Sequence, residues 1–427
     1  MTLPVEPPNR PATAPAAPRY TPAEGFWEHF LKEHWGQKPG VFRDVLPGLI
    51  ATPDEVFEGI RASWARRETD VRSVYVNGRR CTPAESFTFA PKPEETFEPY
   101  LSRITAEQEV TFVIYGMQVH APELWVRTRE FISGFIARLG VPIDVELELF
   151  SGKYRATPRG PHRDDASNLS WILHGEKTML VWPPDFFEKR GVPTATQRGQ
   201  TWGRDLCDPE VYKQYQDEAV VLHAKEGELL YWPYTWWHMA VADKHDAPMM
   251  LNTCVYNRPK ADALGVMLMG LMRQMELGRI DNFGRFDPAV GGDSPAPADI
   301  VATLAHLGGL CASEQMRGVL AERFVKHASS SGFTDVPARA PKALPADVGT
   351  VHIDARFPIA FRQDGEALRV WSNGHAITLP ATPQQVELLT RLNAGTPVPV
   401  DLGRDAALRP LLEELQSTRV LSWGAPA

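Results

Sequence analysis

His162 and Asp164 flank a single arginine, and His238 follows 76 residues later at the end of the run GELLYWPYTWWH. On an extended strand alternate residues share a face, so His-x-Asp presents an imidazole and a carboxylate side by side. A second imidazole from a neighbouring strand completes a two-histidine, one-carboxylate face, the donor set that holds divalent iron with coordination positions left open. The same letters, His162-Arg163-Asp164, also open a kinase catalytic loop, but that loop needs an asparagine five residues after the aspartate. Leu169 stands there, Asn168 is one position early, no GxGxxG loop exists, and the nearest relative of DFG is Asn282-Phe283-Gly284, without the carboxylate. The kinase reading fails on three required parts.

The tripeptide alone is weak evidence, because the chain also contains His174/Glu176 and His352/Asp354. His174-Gly175-Glu176 lies between two apolar runs and reads as a hairpin turn; His352/Asp354 has no second histidine strand nearby. His238, taken alone beside Trp236 and Trp237, reads as a core histidine. Only His162/Asp164 has both a following hairpin and a partner strand.

The elements that must position these residues follow from periodicity. Val145 to Phe150, Asn168 to Leu173, Thr178 to Trp182, Glu228 to Trp232 and Met249 to Tyr256 read as short strands broken by Gly and Pro. That pattern predicts a mainly β core, a double-stranded β-helix or jelly roll, with flanking helices. Helices are predicted at Phe26 to Trp35, Ala51 to Arg67 and Pro122 to Leu139, and a strand at Val110 to Gly116. After Pro259 the period turns helical. Leu264, Met267, Leu268, Leu271, Met272 and Met275 form a stripe that reads as core-facing or as a subunit interface, and Ile300 to His327 reads as helix. The expected division is a disordered Pro/Ala-rich lead-in over 1–19, a catalytic domain over 20–258, a helical region over 259–330, a linker over 331–350 and an α+β, winged-helix-like unit over 351–427. Within that last unit Phe361 to Leu379 is expected as two strands turning at Ser372-Asn373-Gly374, followed by helices from Thr382 and over Leu408 to Gln416 and a strand at Val420 to Trp423.

Composition bounds the partners. The net charge is −8 with no basic block, so direct nucleic-acid binding is not expected. Cys81, Cys207, Cys254 and Cys311 form no CxxC pair, which fits a reducing cytoplasm. No apolar run reaches membrane-spanning length and no signal peptide is read at the N-terminus.

HRDDASNLSWILHGEKTMLVWPPDFFE (162–188) followed by KEGELLYWPYTWWHMAV (225–241) resembles the JmjC/cupin family of Fe(II)/2-oxoglutarate oxygenases, and most of all the branch of asparaginyl hydroxylases and bacterial ribosomal oxygenases. His-x-Asp, a lysine on the second following strand, the Pro183-Pro184 pair, Gly227-Glu228 and Trp236-Trp237-His238 carry it, and Phe26 to Arg43 looks like the family's entry segment. The likeness covers roughly Pro22 to Trp423 and is strongest over 155–257. It implies Fe(II) on His162, Asp164 and His238, with 2-oxoglutarate as cosubstrate and its far carboxylate on Lys177, 15 residues after His162. Asn168 and Tyr115 are further cosubstrate contacts by the same resemblance. A threonine three residues before the first histidine is the family's pattern; Arg159 stands there and Thr157 is five before, so TPRGPH reads as a two-residue insertion that puts the Thr157 contact in question. Trp182 and Trp232 are expected to pack the barrel.

The implied activity is hydroxylation of an amino-acid side chain in a protein or peptide, O2 being consumed and succinate and CO2 released. The substrate would be a ribosomal protein first, or a biosynthetic precursor peptide with the winged helix as its leader-binding module. The presence of Asp164 favours hydroxylation over halogenation. The family also implies a homodimer through the helical region. N-methyl demethylation, a non-catalytic cupin and winged-helix binding protein, and a zinc or manganese cupin isomerase are the alternatives; Lys177 and the complete triad weigh against the last two.

Overall fold

The computed structural model describes residues 20–66, 71–198, 203–242, 247–257, 298–334, 336–339, 348–354 and 356–424, with the single positions Gly265 and Leu344. The Met-rich stripe and the lead-in fall outside these residues.

The core is two antiparallel sheets. The strands in chain order are β1 (Gly40–Phe42), β2 (Arg72–Val76), β3 (Arg79–Arg80), β4 (Val110–Ile114), β5 (Val145–Lys153), β6 (His162–Arg163), β7 (Ala166–His174), β8 (Glu176–Trp182), β9 (Ala195–Arg198), β10 (Gly203–Leu206), β11 (Val220–Lys225), β12 (Leu229–Trp232), β13 (Trp237–Val241) and β14 (Met249–Tyr256). The larger sheet runs β1-β12-β7-β14-β5-β4-β2-β3 and the smaller β11-β8-β13-β6-β10-β9. Their inner faces meet through Ile172, Leu230, Trp232 and Met250 from one sheet and Met179, Val181, Leu222 and Ala240 from the other. The outer face of the large sheet is covered by helices: Leu169, Trp171 and Leu173 of β7 join a second core with Trp27, Phe30, Phe57 and Phe131. Covered on both faces, β7 is buried along almost its whole length, which is why it lacks the polar alternation of a half-exposed strand.

The helices lie where capping and periodicity put them. Pro53–Ala65 starts at a capping box between Thr52 and Glu55. Pro122–Leu139 has proline in its first turn and Gly140 at φ +87° after its last residue. Its Phe131 meets Trp171 with ring centroids 5.1 Å apart. The stretch expected to be helical from Ile300 to His327 forms two helices, Ala298–Ala312 and Glu314–Ser329. Ser313 separates them, its hydroxyl accepting the Met316 amide as an N-cap. No helix among the described residues is long and apolar enough to cross a membrane.

The C-terminal α+β unit has its own core, built on Val351, Leu368, Val370, Leu389, Leu392, Leu411, Leu412 and Leu415. Where two strands were expected there are three, Ala360–Asp364, Ala367–Ser372 and His375–Pro380, because Gly365 at φ +61° turns the chain once more before the turn at Asn373 and Gly374. The expected linker is partly buried: Phe333 and Val336 pack into the core on the outer face of the large sheet, and Val145 bridges to Phe333.

One buried cation joins the two units. The Arg129 guanidinium, on the helix Pro122–Leu139, donates to Asn373 Oδ1 (2.6 Å), Ser331 Oγ (3.0 Å) and the Ser329 carbonyl (3.0 Å), and lies 3.7 Å over the Phe357 ring. Only 6% exposed, it is pushed down to about 9 by burial, against the attraction of Asp354. Arg129→Met leaves these acceptors buried without a donor. The expected cost is about 2–4 kcal/mol in denaturant unfolding, with the C-terminal unit released before the β core; a single unshifted transition would contradict the latch.

Candidate metal centre

β6 and β13 pair with His238 directly opposite His162, so the antiparallel register sets both imidazoles on the inner face. Asp164 follows in the turn before β7. Its Oδ2 lies 3.2 Å from His238 Nε2 and its Oδ1 3.9 Å from His162 Nε2. The two rings are 4.4 Å apart at 50°, and one ligand atom from each of the three residues falls within 4.8 Å of the others. His162 is 8% and His238 2% exposed.

Backbone carbonyls orient both rings. His162 Nδ1 sits 2.9 Å from the Gly160 carbonyl and His238 Nδ1 3.2 Å from that of Trp236. An Nδ1–H donated to each leaves the Nε2 lone pairs pointing at the carboxylate, the tautomer a metal ligand needs. Gly160 makes this possible: at φ +65° it lies where a Cβ would collide with the Pro209 backbone. Two imidazole nitrogens and one carboxylate on one side fit Fe(II) with positions left open, and they lack the thiolates of a structural zinc site. Arg163 points the other way, donating to the Pro184 carbonyl (2.8 Å), pairing with Glu188 and covering the Trp237 ring.

The triad opens into a cavity walled by Phe150, Met179, Trp232, Ala240 and Met250. On β8, Val181 lies opposite His238, and Lys177 stands four residues along on the same inward face. Lys177 is 1% exposed; its Nζ donates to the Tyr154 hydroxyl and lies 4.0 Å over the Phe150 ring. Burial pushes its pKa well below the usual lysine range and raises that of the Tyr154 phenol. No carboxylate among the described residues pairs with Lys177. A buried cation left this way is a place for an anion brought by a ligand.

Of the residues singled out in the sequence, His162, Asp164, His238, Lys177, Tyr115 and Thr157 all line this one cavity. Tyr115 sits with its hydroxyl 3.4 Å from Ser73 Oγ. The Thr157 hydroxyl is tied to β13, accepting the Ala240 amide (2.8 Å) and donating to the Ala240 carbonyl (3.1 Å). Asn168 is not among the lining residues; its amide donates to the Ala166 carbonyl and accepts from Cys254 Sγ. Trp232, expected only to pack, also lines the cavity, with its ring 5.2 Å from His238. Tyr154 and Asn252 escaped the sequence reading. A lone amide inside the apolar run MMLNTCVY was the available signal for Asn252, which accepts from Ser170 Oγ at 2.7 Å and lines the cavity. The other two His-x-acid pairs form no such centre: Glu176 pairs with Lys225 and His223, and Asp354 with Arg356.

Comparison with known proteins agrees with this architecture. Residues 73–258 match a family model described as a cupin-like domain. The X-ray structure of ycfD from E. coli is similar at 16% identity and a TM-score of 0.51, over 93% of this chain and 98% of that one. YcfD described as a ribosomal oxygenase from Escherichia coli, in complex with cobalt and 2-oxoglutarate, matches at 15% identity and a TM-score of 0.49, over 94% and 98% of the two chains. No curated protein matches the chain. Residues 73–258 are thus similar to a cupin-like domain, and the fold is similar to that of ycfD over 93% of this chain.

Lys177→Met tests whether the buried charge is a cost to the fold. The lysine's folded pKa is lowered, so the unfolded chain binds the extra proton and wild-type stability rises with pH between that lowered value and the ordinary value of 10.5. Lys177→Met should be more stable than wild type by about 1–3 kcal/mol at neutral pH without ligand, the gap closing as pH rises. A destabilised variant with a pH-independent gap would show that Lys177 is instead compensated inside the protein.

Proposed function

We propose that the protein is an Fe(II)- and 2-oxoglutarate-dependent oxygenase that hydroxylates an amino-acid side chain of a protein or peptide. The observation that carries this reading is the pairing, in one cavity, of a two-histidine, one-carboxylate cluster with a buried lysine that has no carboxylate partner among the described residues. A metal site alone fits many chemistries. A metal site facing a fixed, dry cation fits a small ligand that chelates at one end and carries a carboxylate at the other, which is the chemistry of a 2-oxo dicarboxylic acid.

His162, Asp164 and His238 would hold the iron, and Lys177, with the Tyr154 hydroxyl beside it, would take the far carboxylate. Bound together, iron and cosubstrate supply oxygen activation: O2 is consumed, 2-oxoglutarate leaves as succinate and CO2, and one oxygen atom enters a C–H bond of the substrate. The chain's own part is positional. The Gly160 and Trp236 carbonyls keep the imidazoles in one tautomer. Phe150, Met179, Trp232 and Met250 keep water from the cosubstrate's path, which strengthens the lysine–carboxylate attraction. Tyr115 and Thr157 complete the wall, and Asn168 supports it by bracing β7 against β14 through Cys254.

The wider reading keeps 20–258 as catalytic domain, 259–330 as a helical dimerisation region, 331–350 as linker and 351–427 as a winged-helix-like unit that guides substrate. Exposed Val301, Leu304, Leu320 and Phe324 on the helix pair support a homodimer interface. The four cysteines, all free, support a cytoplasmic location. A ribosomal protein is the first candidate substrate and a biosynthetic precursor peptide the second.

Mass spectrometry of a proteome with and without the protein should find a polypeptide gaining the mass of one oxygen atom. With that substrate, purified protein supplied with Fe(II) and ascorbate should form one succinate per oxygen inserted, and Asp164→Ala should remove at least about 99% of turnover, since a carboxylate ligand is lost. Formaldehyde release with loss of a methyl mass would move the reading to demethylation. Unchanged turnover in Asp164→Ala would remove the triad from the chemistry.

A further inference from the structure

A second concavity adjoins the first. A groove open to solvent lies between the β core, the helix Glu314–Ser329 and the Gly374-His375 turn of the C-terminal unit, and Tyr115 lines both spaces. We infer that this groove receives an extended segment of the polypeptide substrate bearing aspartate or glutamate near the modified residue, and that Tyr115 marks where the segment enters the metal-bearing cavity. The inference rests on the oxygenase reading and deepens it by naming the substrate's chemistry.

Charge carries the argument. Arg66, Arg323 and Lys326 line the groove against a single described carboxylate, Glu146, which already accepts the Tyr256 hydroxyl at 2.9 Å. Neither Arg323 nor Lys326 has a carboxylate partner among the described residues. Glu322, next to them on the same helix, is spent on Arg369 and Arg362. At the inner end Arg159 lines the metal-bearing cavity, donating to the Tyr75 hydroxyl at 3.2 Å and likewise lacking a carboxylate partner among the described residues. Cations without a carboxylate partner among the described residues thus line both spaces, Arg323 and Lys326 in the groove and Arg159 in the metal-bearing cavity, on a chain whose net charge is −8. His327 and His375 face backbone carbonyls, of Pro142 and Val336. His120, pushed down to about 4 by burial and by Arg66 and Arg72, adds no charge at neutral pH.

A carboxylate-bearing peptide fits this better than a nucleic acid. The fixed cations are few and spread over different elements, Phe333 is buried, and no ladder of exposed aromatic rings lines the groove to stack bases. The charge also reverses the order of the two candidate substrates: an acidic precursor segment suits the groove, whereas ribosomal proteins are basic as a class.

The test uses the full-length protein loaded with Co(II) and 2-oxoglutarate and fluorescein-labelled twelve-residue probes of alternating glycine with glutamate, glutamine or lysine, read by fluorescence anisotropy. A single-stranded oligonucleotide of equal charge serves as a fourth probe. The glutamate probe should bind, weaken with salt, and lose at least about tenfold in affinity in the double variant Arg323→Glu/Lys326→Glu. The glutamine and lysine probes should bind far more weakly. Equal binding of the glutamate and glutamine probes, or no loss in the double variant, overturns the inference, and tighter binding of the oligonucleotide replaces it with a nucleic-acid surface. Cosubstrate binding measured in the same samples separates the two claims. Retained 2-oxoglutarate affinity without glutamate-probe binding refutes the groove alone, whereas lost 2-oxoglutarate affinity refutes the oxygenase reading beneath it.

Discussion

A lysine ammonium held 1% exposed between a phenol and a phenyl ring, with no carboxylate beside it among the described residues, is the constraint around which the rest of the site is arranged. Burying such a charge without a counter-ion costs several kcal/mol unless the lysine gives up its proton, and its lowered pKa records that strain. A fold under no functional demand would place an apolar residue there, since Met179 and Val181 occupy the next inward positions of β8. The same strand direction and the same register set His238 opposite Val181 and His162 opposite His238, so the cation and the three metal-type donors share one inner face. Two facing sheets, the larger covered on its outer face by helices, provide the dry surroundings that make the lysine costly when empty and strong as an anion anchor.

Much of this was legible in the sequence because strand alternation and antiparallel pairing are local rules. His162 and Asp164 are separated by one residue, and the Trp-Trp-His end of a strand supplies the third donor. Lys177 follows a turn whose glycine, Gly175, takes φ +70° as the hairpin requires. Met249–Tyr256 and Pro122–Leu139 were also readable in full from apolar patterning and from proline and glycine at the ends. What was not legible depended on side-chain partners across the sheets. Nothing in KYRATPRG marks Tyr154 as the hydroxyl that meets Lys177, because that contact joins the end of β5 to β8. Thr157 shows the same limit in reverse: its hydroxyl is engaged by the backbone of Ala240, a residue 83 positions away. Asn168, opposite Cys254, lies two residue pairs beyond the Ser170–Asn252 pair along β7 and β14, and that displacement separates lining the cavity from bracing it.

The C-terminal unit is tied to the β core rather than strung from it. Arg129 spends its donors on Asn373, Ser331 and Ser329, and Phe333 and Val336 fill the core from the segment between the two units. A packed junction fixes the walls of the groove that Tyr115 shares with the metal-bearing cavity. On the proposed function, fold, latch and groove together present a polypeptide to the metal-bearing cavity.

The central claim is that the triad and Lys177 together bind one 2-oxo dicarboxylic acid. The most direct measurement is an anaerobic titration of the Fe(II)-loaded full-length protein with 2-oxoglutarate, followed by the visible charge-transfer band that an iron-chelated 2-oxo acid gives. The account predicts a saturable band in wild type, no band in Asp164→Ala, and in Lys177→Met a band that saturates only at about a hundredfold higher 2-oxoglutarate, the loss expected for one buried charge-assisted contact. A Lys177→Met titration that superimposes on wild type, or a wild-type protein that binds iron and gives no band, would contradict it.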